Sequence, residues 1–135
     1  MADRKLGVLI HGAGWVSTQH IAAFTANPHT EVVAISSRTL ASAQKRAEEA
    51  SLDVACYDDY DAALAHEGVD IVSVCTPQHV HAENTIDAAR AGKHIAIEKP
   101  VAMTLDEMRA MRDAIGQAGV KTVVSFVLRW NPMFQ

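Results

Sequence analysis

The stretch Leu6–Ser17, LGVLIHGAGWVS, decides how this chain is read. Leu6–Ile10 is short, apolar and bounded by Gly12, which suits a strand covered on both faces. Thr18–Ala26, TQHIAAFTA, then predicts a helix closed by Asn27-Pro28. The turn between them has a specific physical use. Its first glycine permits a tight turn, and its second lets backbone approach a pyrophosphate. The helix N-terminus behind it offers free N–H groups and a positive dipole end to the anion. The third position of the G-x-G-x-x-G pattern is Ser17, a departure, although serine is small and its hydroxyl is available to a phosphate.

Working outward, the same alternation continues along the chain. Strands are expected at 31–36, 54–57, 70–75, 95–98 and 121–127, and helices at 40–50, 61–66, 80–91 and 104–117. Gly92 suits the position just past a helix end, and Thr104 with Glu107 forms a capping-box pattern. Strand, helix and strand with short joins predict right-handed βαβ units. The fold class is therefore α/β, a doubly wound parallel sheet (Rossmann fold) of about six strands with helices on both faces. Met103, Met108 and Met111 read as sheet-facing residues of the last helix.

Composition narrows the function classes. The chain has 135 residues, enough for one core, with net charge −4 and scattered basic residues, which argues against nucleic acid as a partner. No apolar run approaches the ~20 residues that cross a bilayer, and the N-terminus lacks the pattern of a secretory signal, so the cytoplasm is the expected compartment. Cys56 and Cys75, each in or beside an apolar segment, read as reduced buried thiols. No metal is expected: His79, His81 and Glu83 sit at a helix start without a clear third ligand.

The end of the second strand bears on the cofactor. Binders of NAD usually place a carboxylate there for the ribose hydroxyls. This chain has Ser36-Ser37-Arg38-Thr39 instead, and an arginine among hydroxyls suits a 2′-phosphate. NADP(H) is the expected cofactor, with NAD(H) as the second candidate.

The stretch Cys75–Met108, CTPQHVHAENTIDAARAGKHIAIEKPVAMTLDEM, resembles the Gfo/Idh/MocA oxidoreductases in its Thr-Pro, its Ala-Gly-Lys-His turn and its Glu-Lys-Pro. The glycine turn and the late Arg-Trp-Asn-Pro match as well, so the resemblance runs essentially end to end. It implies that Gly12, Ala13, Gly14, Trp15 and Val16 wrap the pyrophosphate, while Ser37 and Arg38 hold the adenosine ribose or its phosphate. It implies further that Thr76, Pro77 and His81 line the cofactor, and that Glu98 stands near the nicotinamide end. Lys99 matches the family's catalytic lysine, which also borders the cofactor, and Pro100 fixes the turn that aims it.

The residues themselves agree. Ligands of an open parallel sheet bind outside the carboxyl ends of its strands, where Glu98 and Lys99 lie. An ammonium held near a reacting alcohol or carbonyl oxygen can exchange a proton with it or stabilise charge on it. A surface Glu-Lys pair of little energetic weight is the plain alternative. His11 is expected to pack beneath the cofactor.

The resemblance also implies a second domain. Residues 1–127 read as the dinucleotide-binding unit, and 128–135, with Trp130, Met133 and Phe134, as the start of a substrate and oligomerisation domain otherwise absent from this sequence. A small sugar- or polyol-like substrate and a homo-oligomer are expected. The expected activity is hydride transfer between NAD(P) and a sugar, cyclitol or related carbonyl compound, and the isolated unit is expected to be inactive. A non-catalytic dinucleotide sensor is the alternative, although such a protein has no need of the lysine.

Overall fold

A computed structural model describes residues 4–130 and 132–134. Eleven regular elements alternate along the chain. They are β1 (Leu6–His11), α1 (Trp15–Ala26), β2 (Thr30–Ser36), α2 (Leu40–Glu49), β3 (Ala55–Tyr57), α3 (Tyr60–Leu64), β4 (Val69–Val74), α4 (His81–Arg90), β5 (His94–Glu98), α5 (Leu105–Ala118) and β6 (Thr122–Ser125). The six strands form one sheet in the order β3-β2-β1-β4-β5-β6, and every pairing is parallel. The chain reverses direction across the sheet between β1 and β4, so a crevice opens at the carboxyl ends of those strands.

Alternate strand residues feed two apolar layers, as the pleat requires. Val8, Ile10, Val32 and Ile35 meet Ile21 of α1 and Ala43 and Ala47 of α2. Leu9, Val72, Val74, Ile95 and Ile97 meet the opposite layer, which includes Ala82, Ala88 and Ala89 of α4 and Met111 of α5. Small alanines on the helices allow close approach to the β-branched strands. Gly7 has a tighter reason to be glycine: a Cβ there would stand 2.0 Å from the carbonyl oxygen of Gly68.

Several boundaries differ from the sequence expectation, each for a local reason. Helix α1 begins at Trp15, not Thr18, because Gly14 is extended and serves as its N-cap. Strand β6 ends at Ser125, because its sole neighbour β5 offers partners only as far as Glu98. Phe126 then leads into the 3₁₀ turn Val127–Trp130. Met103 and Met108 are exposed and do not face the sheet. Helix α5 docks through Met111, Ala114 and Ile115, and Met108 lies outside that contact. The capping box is present, with Thr104 Oγ1 accepting from the Glu107 N–H and Glu107 accepting from the Thr104 N–H. No helix among the described residues is long and apolar enough to cross a membrane. Of the expected tail, residues 131 and 135 and the side chains of Trp130 and Phe134 lie outside the described part, as do residues 1–3 of the expected first domain, while Met133 is exposed.

Candidate functional site

The glycine turn closes against β4. Gly12 has φ of 107°, its N–H donates to the Ser36 carbonyl at 2.8 Å, and a Cβ on it would lie 2.6 Å from the Cys75 carbonyl oxygen. Gly12 is therefore required by the fold itself. Gly14 is different: its φ is −71°, and a Cβ there would meet nothing within 4 Å. The space above it is open, and it borders the N-terminus of a twelve-residue helix with no side-chain cap and no acidic residue in its first turn. Uncapped N–H groups beside an open glycine fit a diphosphate.

The loop is braced from behind. Arg46 of α2 donates Nη2 to the Ala13 carbonyl at 3.0 Å and Nη1 to Glu49 at 2.7 Å. Ser17 is fully buried, and its hydroxyl donates to the Gly14 carbonyl at 2.6 Å. That hydroxyl secures the turn instead of waiting for a phosphate. Val16 is half-buried, while Trp15 projects into solvent, 76% exposed, at the mouth of the crevice.

Past the end of β2, Ser37 is half-buried and its N–H bonds the Tyr57 carbonyl at 3.0 Å. Arg38 is exposed, and among the described residues its guanidinium has no hydrogen-bond or ion-pair partner. Ser36 is unavailable to a ligand because its hydroxyl lies 2.7 Å from His11 Nδ1. His11 is buried at the end of β1 and stacks on Tyr60 with ring centroids 3.7 Å apart. Burial pulls its pKa down to about 4, against a weaker upward pull from Asn84, so it is neutral at pH 7. Burial likewise pushes the Tyr60 phenol up. His11 is a floor for the crevice, not an acid or base.

At the opposite end, Thr76 bonds Asn84 Oδ1 at 2.9 Å, and Pro77 is exposed beside it. His81 does not line the crevice as the sequence reading expected. It is 1% exposed, with Nδ1 2.7 Å from the Pro100 carbonyl and Nε2 2.8 Å from the Thr76 carbonyl, so it has nothing to offer a cofactor directly. The same inward turn removes it from any cluster with His79 and Glu83. Among the described residues no three His, Cys, Asp or Glu side chains gather as a metal site.

Glu98 closes β5 with its side chain committed to protein partners. Its side chain is buried, and Oε1 lies 2.8 Å from His20 Nε2, while Oε2 accepts the Lys99 N–H at 3.3 Å. Burial pushes the carboxyl up, but hydrogen bonds from His20, Ser125 and the Lys99 amide prevail and hold it below the usual range. Glu98 is thus a buried anion whose two oxygens are committed to His20 and the Lys99 amide. Lys99 is the exposed member of the pair. It joins Pro100 through a cis peptide bond and lines an open depression of about 450 Å³ with Phe126, Val127, Leu128 and Arg129.

Residues that sequence reasoning passed over include His20, Ser73 and Arg46. A signal existed for His20: with α1 starting at Trp15, positions 17, 20, 21 and 24 form the stripe facing the sheet, and a histidine on that stripe must find buried partners. Arg46 and Ser73 carried no such signal. Both cysteines are free, and burial raises both thiols, Cys75 to about 12.

Known proteins share this arrangement. An oxidoreductase family with an NAD-binding Rossmann fold matches residues 6–126. The D-glucoside 3-dehydrogenase of Escherichia coli (strain K12) is 37% identical over 120 residues, which cover 88% of this chain and 34% of that enzyme. A levoglucosan dehydrogenase solved with NADH and levoglucosan superposes with a TM-score of 0.89 at 29% identity, over 97% of this chain and 37% of that one. A 3-ketoreductase from Actinomadura kijaniata bound to NADP and TDP-benzene gives 0.87 at 28%, over 96% and 39%. The chain thus spans about a third of the length of the curated relative it matches. Sequence match, sheet order and glycine turn agree: this chain belongs to the Gfo/Idh/MocA oxidoreductase family and carries its NAD-binding Rossmann fold.

Proposed function

We propose that this chain is the dinucleotide-binding part of an NAD(P)-dependent dehydrogenase or reductase acting on a CH–OH group of a sugar, cyclitol or related carbonyl compound. The observation that carries the reading is the exposed Lys99 at the carboxyl end of β5, on the same edge of the sheet as the open glycine turn after β1. Only β4 separates the two strands, so their ends lie roughly 10 Å apart. A diphosphate seated at Gly14 leaves the nicotinamide end of a dinucleotide within reach of Lys99.

The residues divide the work. Gly12, Ala13, Gly14, Trp15 and Val16 hold the diphosphate, Ser37 and Arg38 the adenosine ribose and a 2′-phosphate, and Thr76 and Pro77 the far end. A bound nicotinamide supplies or takes up the hydride. Lys99 takes the hydroxyl proton as the alcohol is oxidised, or gives a proton to the carbonyl oxygen as it is reduced. NADP(H) is preferred over NAD(H), because no carboxylate closes β2 and the Arg38 guanidinium stands uncommitted. Sugar-like substrates are supported by relatives named for glucoside and levoglucosan oxidation. Those relatives are about three times as long, which supports a substrate-binding part beyond residue 128 and no turnover by this chain alone.

Trp15 reports on the site directly, because it is exposed at the loop that receives the diphosphate. Titration of the chain with NADPH and NADH should quench its fluorescence, with NADPH binding more tightly, and Trp15→Phe should abolish the quenching. Absence of binding by either nucleotide, or rapid sugar-dependent reduction of NADP by the chain itself, would refute the respective part of the reading.

A further inference from the structure

We infer that His20 and His81 are positioning residues that pin the backbone on either side of Lys99 and so determine where its ammonium stands. The inference rests on the role proposed for Lys99. Residues 98, 99 and 100 are consecutive, and the outer two are each gripped by an imidazole from a different helix on a different face of the sheet. His20 comes from α1, the helix whose N-terminus faces the diphosphate site. Its Nε2 lies 2.8 Å from Glu98 Oε1 and its Nδ1 2.8 Å from the Ser73 hydroxyl, while Glu98 Oε2 accepts the Lys99 amide N–H. A relay of imidazole, carboxylate and amide therefore ties α1 to the backbone of the lysine.

His81, at the start of α4, grips the other side. Its two nitrogens face the carbonyl oxygens of Pro100 and Thr76. A carbonyl oxygen only accepts, so the ring satisfies both when both nitrogens carry hydrogen, and a neutral ring serves one at a time. Through this single side chain the segment after β4 and the segment after β5 are held together. His81 is buried at 1% exposed and the His20 side chain nearly so at 11%, and the nitrogens of both rings are engaged with protein partners. Apolar side chains would fill positions 20 and 81 without the desolvation that a polar ring must offset. The rings instead converge on the two neighbours of the exposed Lys99, which ordinary satisfaction of buried polar groups does not require.

The test reads the location of Lys99 without needing turnover. The chain is treated with acetic anhydride with and without NADPH, and acetylation of Lys99 is followed by peptide mass spectrometry, with exposed Lys45 as the internal reference. In the unsubstituted chain, NADPH should slow Lys99 acetylation about tenfold, as burial of an amine beside bound ligand implies. In His20→Leu and His81→Leu that protection should fall to less than about twofold, while NADPH affinity stays within about threefold. His20→Gln, whose amide can still donate to Glu98, should restore most of it. Ser73→Ala, which loosens His20 without altering residues 98–100, covers the case of leucine variants that do not fold and should lower protection about threefold. Full protection in folded leucine variants, or in Ser73→Ala, overturns the inference. Missing protection in the unsubstituted chain would instead remove the proposed function, and this inference with it.

Discussion

The two ends of the crevice are built by opposite means. The glycine turn is held by what it lacks: Gly12 fits because no Cβ separates it from Cys75, and Gly14 stands open because nothing covers it. The Glu98-Lys99-Pro100 segment is held by what surrounds it, with buried side chains from α1 and α4 taking up its carboxylate and its carbonyl. One end is intolerant of added atoms and the other of deleted donors. In the proposed function, matter is removed where a diphosphate would lie and added where the Lys99 amine would be aimed.

The sharpest way to break this contrast is at Gly12. Gly12→Ala puts a methyl 2.6 Å from the Cys75 carbonyl oxygen and holds a side-chain residue at φ of 107°. Strain and overpacking together should destabilise the fold by about 3–5 kcal/mol, measured by urea unfolding. A loss below about 1 kcal/mol would mean that the turn relaxes freely and the contrast is false.

Acid probes the floor between the two ends. Burial depresses the pKa of His11 from 6.5 to about 4, so the unfolded chain binds that proton more readily. Its contribution is fully present above pH 6.5 and is lost as pH falls from there toward 4, at roughly 1.4 kcal/mol per pH unit and about 3 kcal/mol in all. Unfolding free energy measured from pH 7 to pH 4 should slope accordingly, and His11→Gln should flatten the slope. Glu98 acts in a lower window: its carboxyl is held below the ordinary 4.5, so its contribution is present above that value and vanishes beneath it.

Gly14 gives the counterpart to Gly12. Gly14→Val meets no protein atom at its Cβ, and its φ of −71° is open to any residue. Stability should change by less than about 0.5 kcal/mol, while affinity for NADPH falls about thirtyfold because the side chain occupies the diphosphate's space. Isothermal titration beside thermal unfolding separates the two readouts. Equal damage to both would erase the distinction between a fold-required and a ligand-required glycine.

The sheet was legible because β-branched apolar runs and glycine or proline punctuation recur at close intervals, and each run becomes a parallel strand. The open end of the site was legible for the same reason, since a glycine turn is a local pattern. The lysine end was legible only as a likeness to a family. Its geometry depends on His20, Ser73 and His81, which lie 78, 53 and 19 positions from their respective partners Glu98, His20 and Pro100. Nothing local marks a histidine for a carboxylate so far along the sequence. The family likeness places His81 and Glu98 along the cofactor, but no local pattern announces that both side chains are buried and spend their polar atoms on Thr76, Pro100, His20 and the Lys99 amide.

Arg38 offers the smallest and most selective test. Arg46 is committed to Ala13 and Glu49, whereas Arg38, just past β2, has no hydrogen-bond or ion-pair partner among the described residues and is the guanidinium proposed to meet a 2′-phosphate. An exposed charge contributes modestly, so Arg38→Ala should weaken NADPH binding about tenfold, or ~1.4 kcal/mol, and change NADH binding by less than about twofold. Added salt should narrow the gap between the nucleotides in the unsubstituted chain and leave the variant nearly unaffected, because the discriminating charge is solvent-exposed. Fluorescence titrations of both chains with both nucleotides at low and high salt make the measurement. If the unsubstituted chain binds NADH more tightly, the ribose end selects by shape and hydroxyls, and the arginine is a solvated loop residue with no part in the choice.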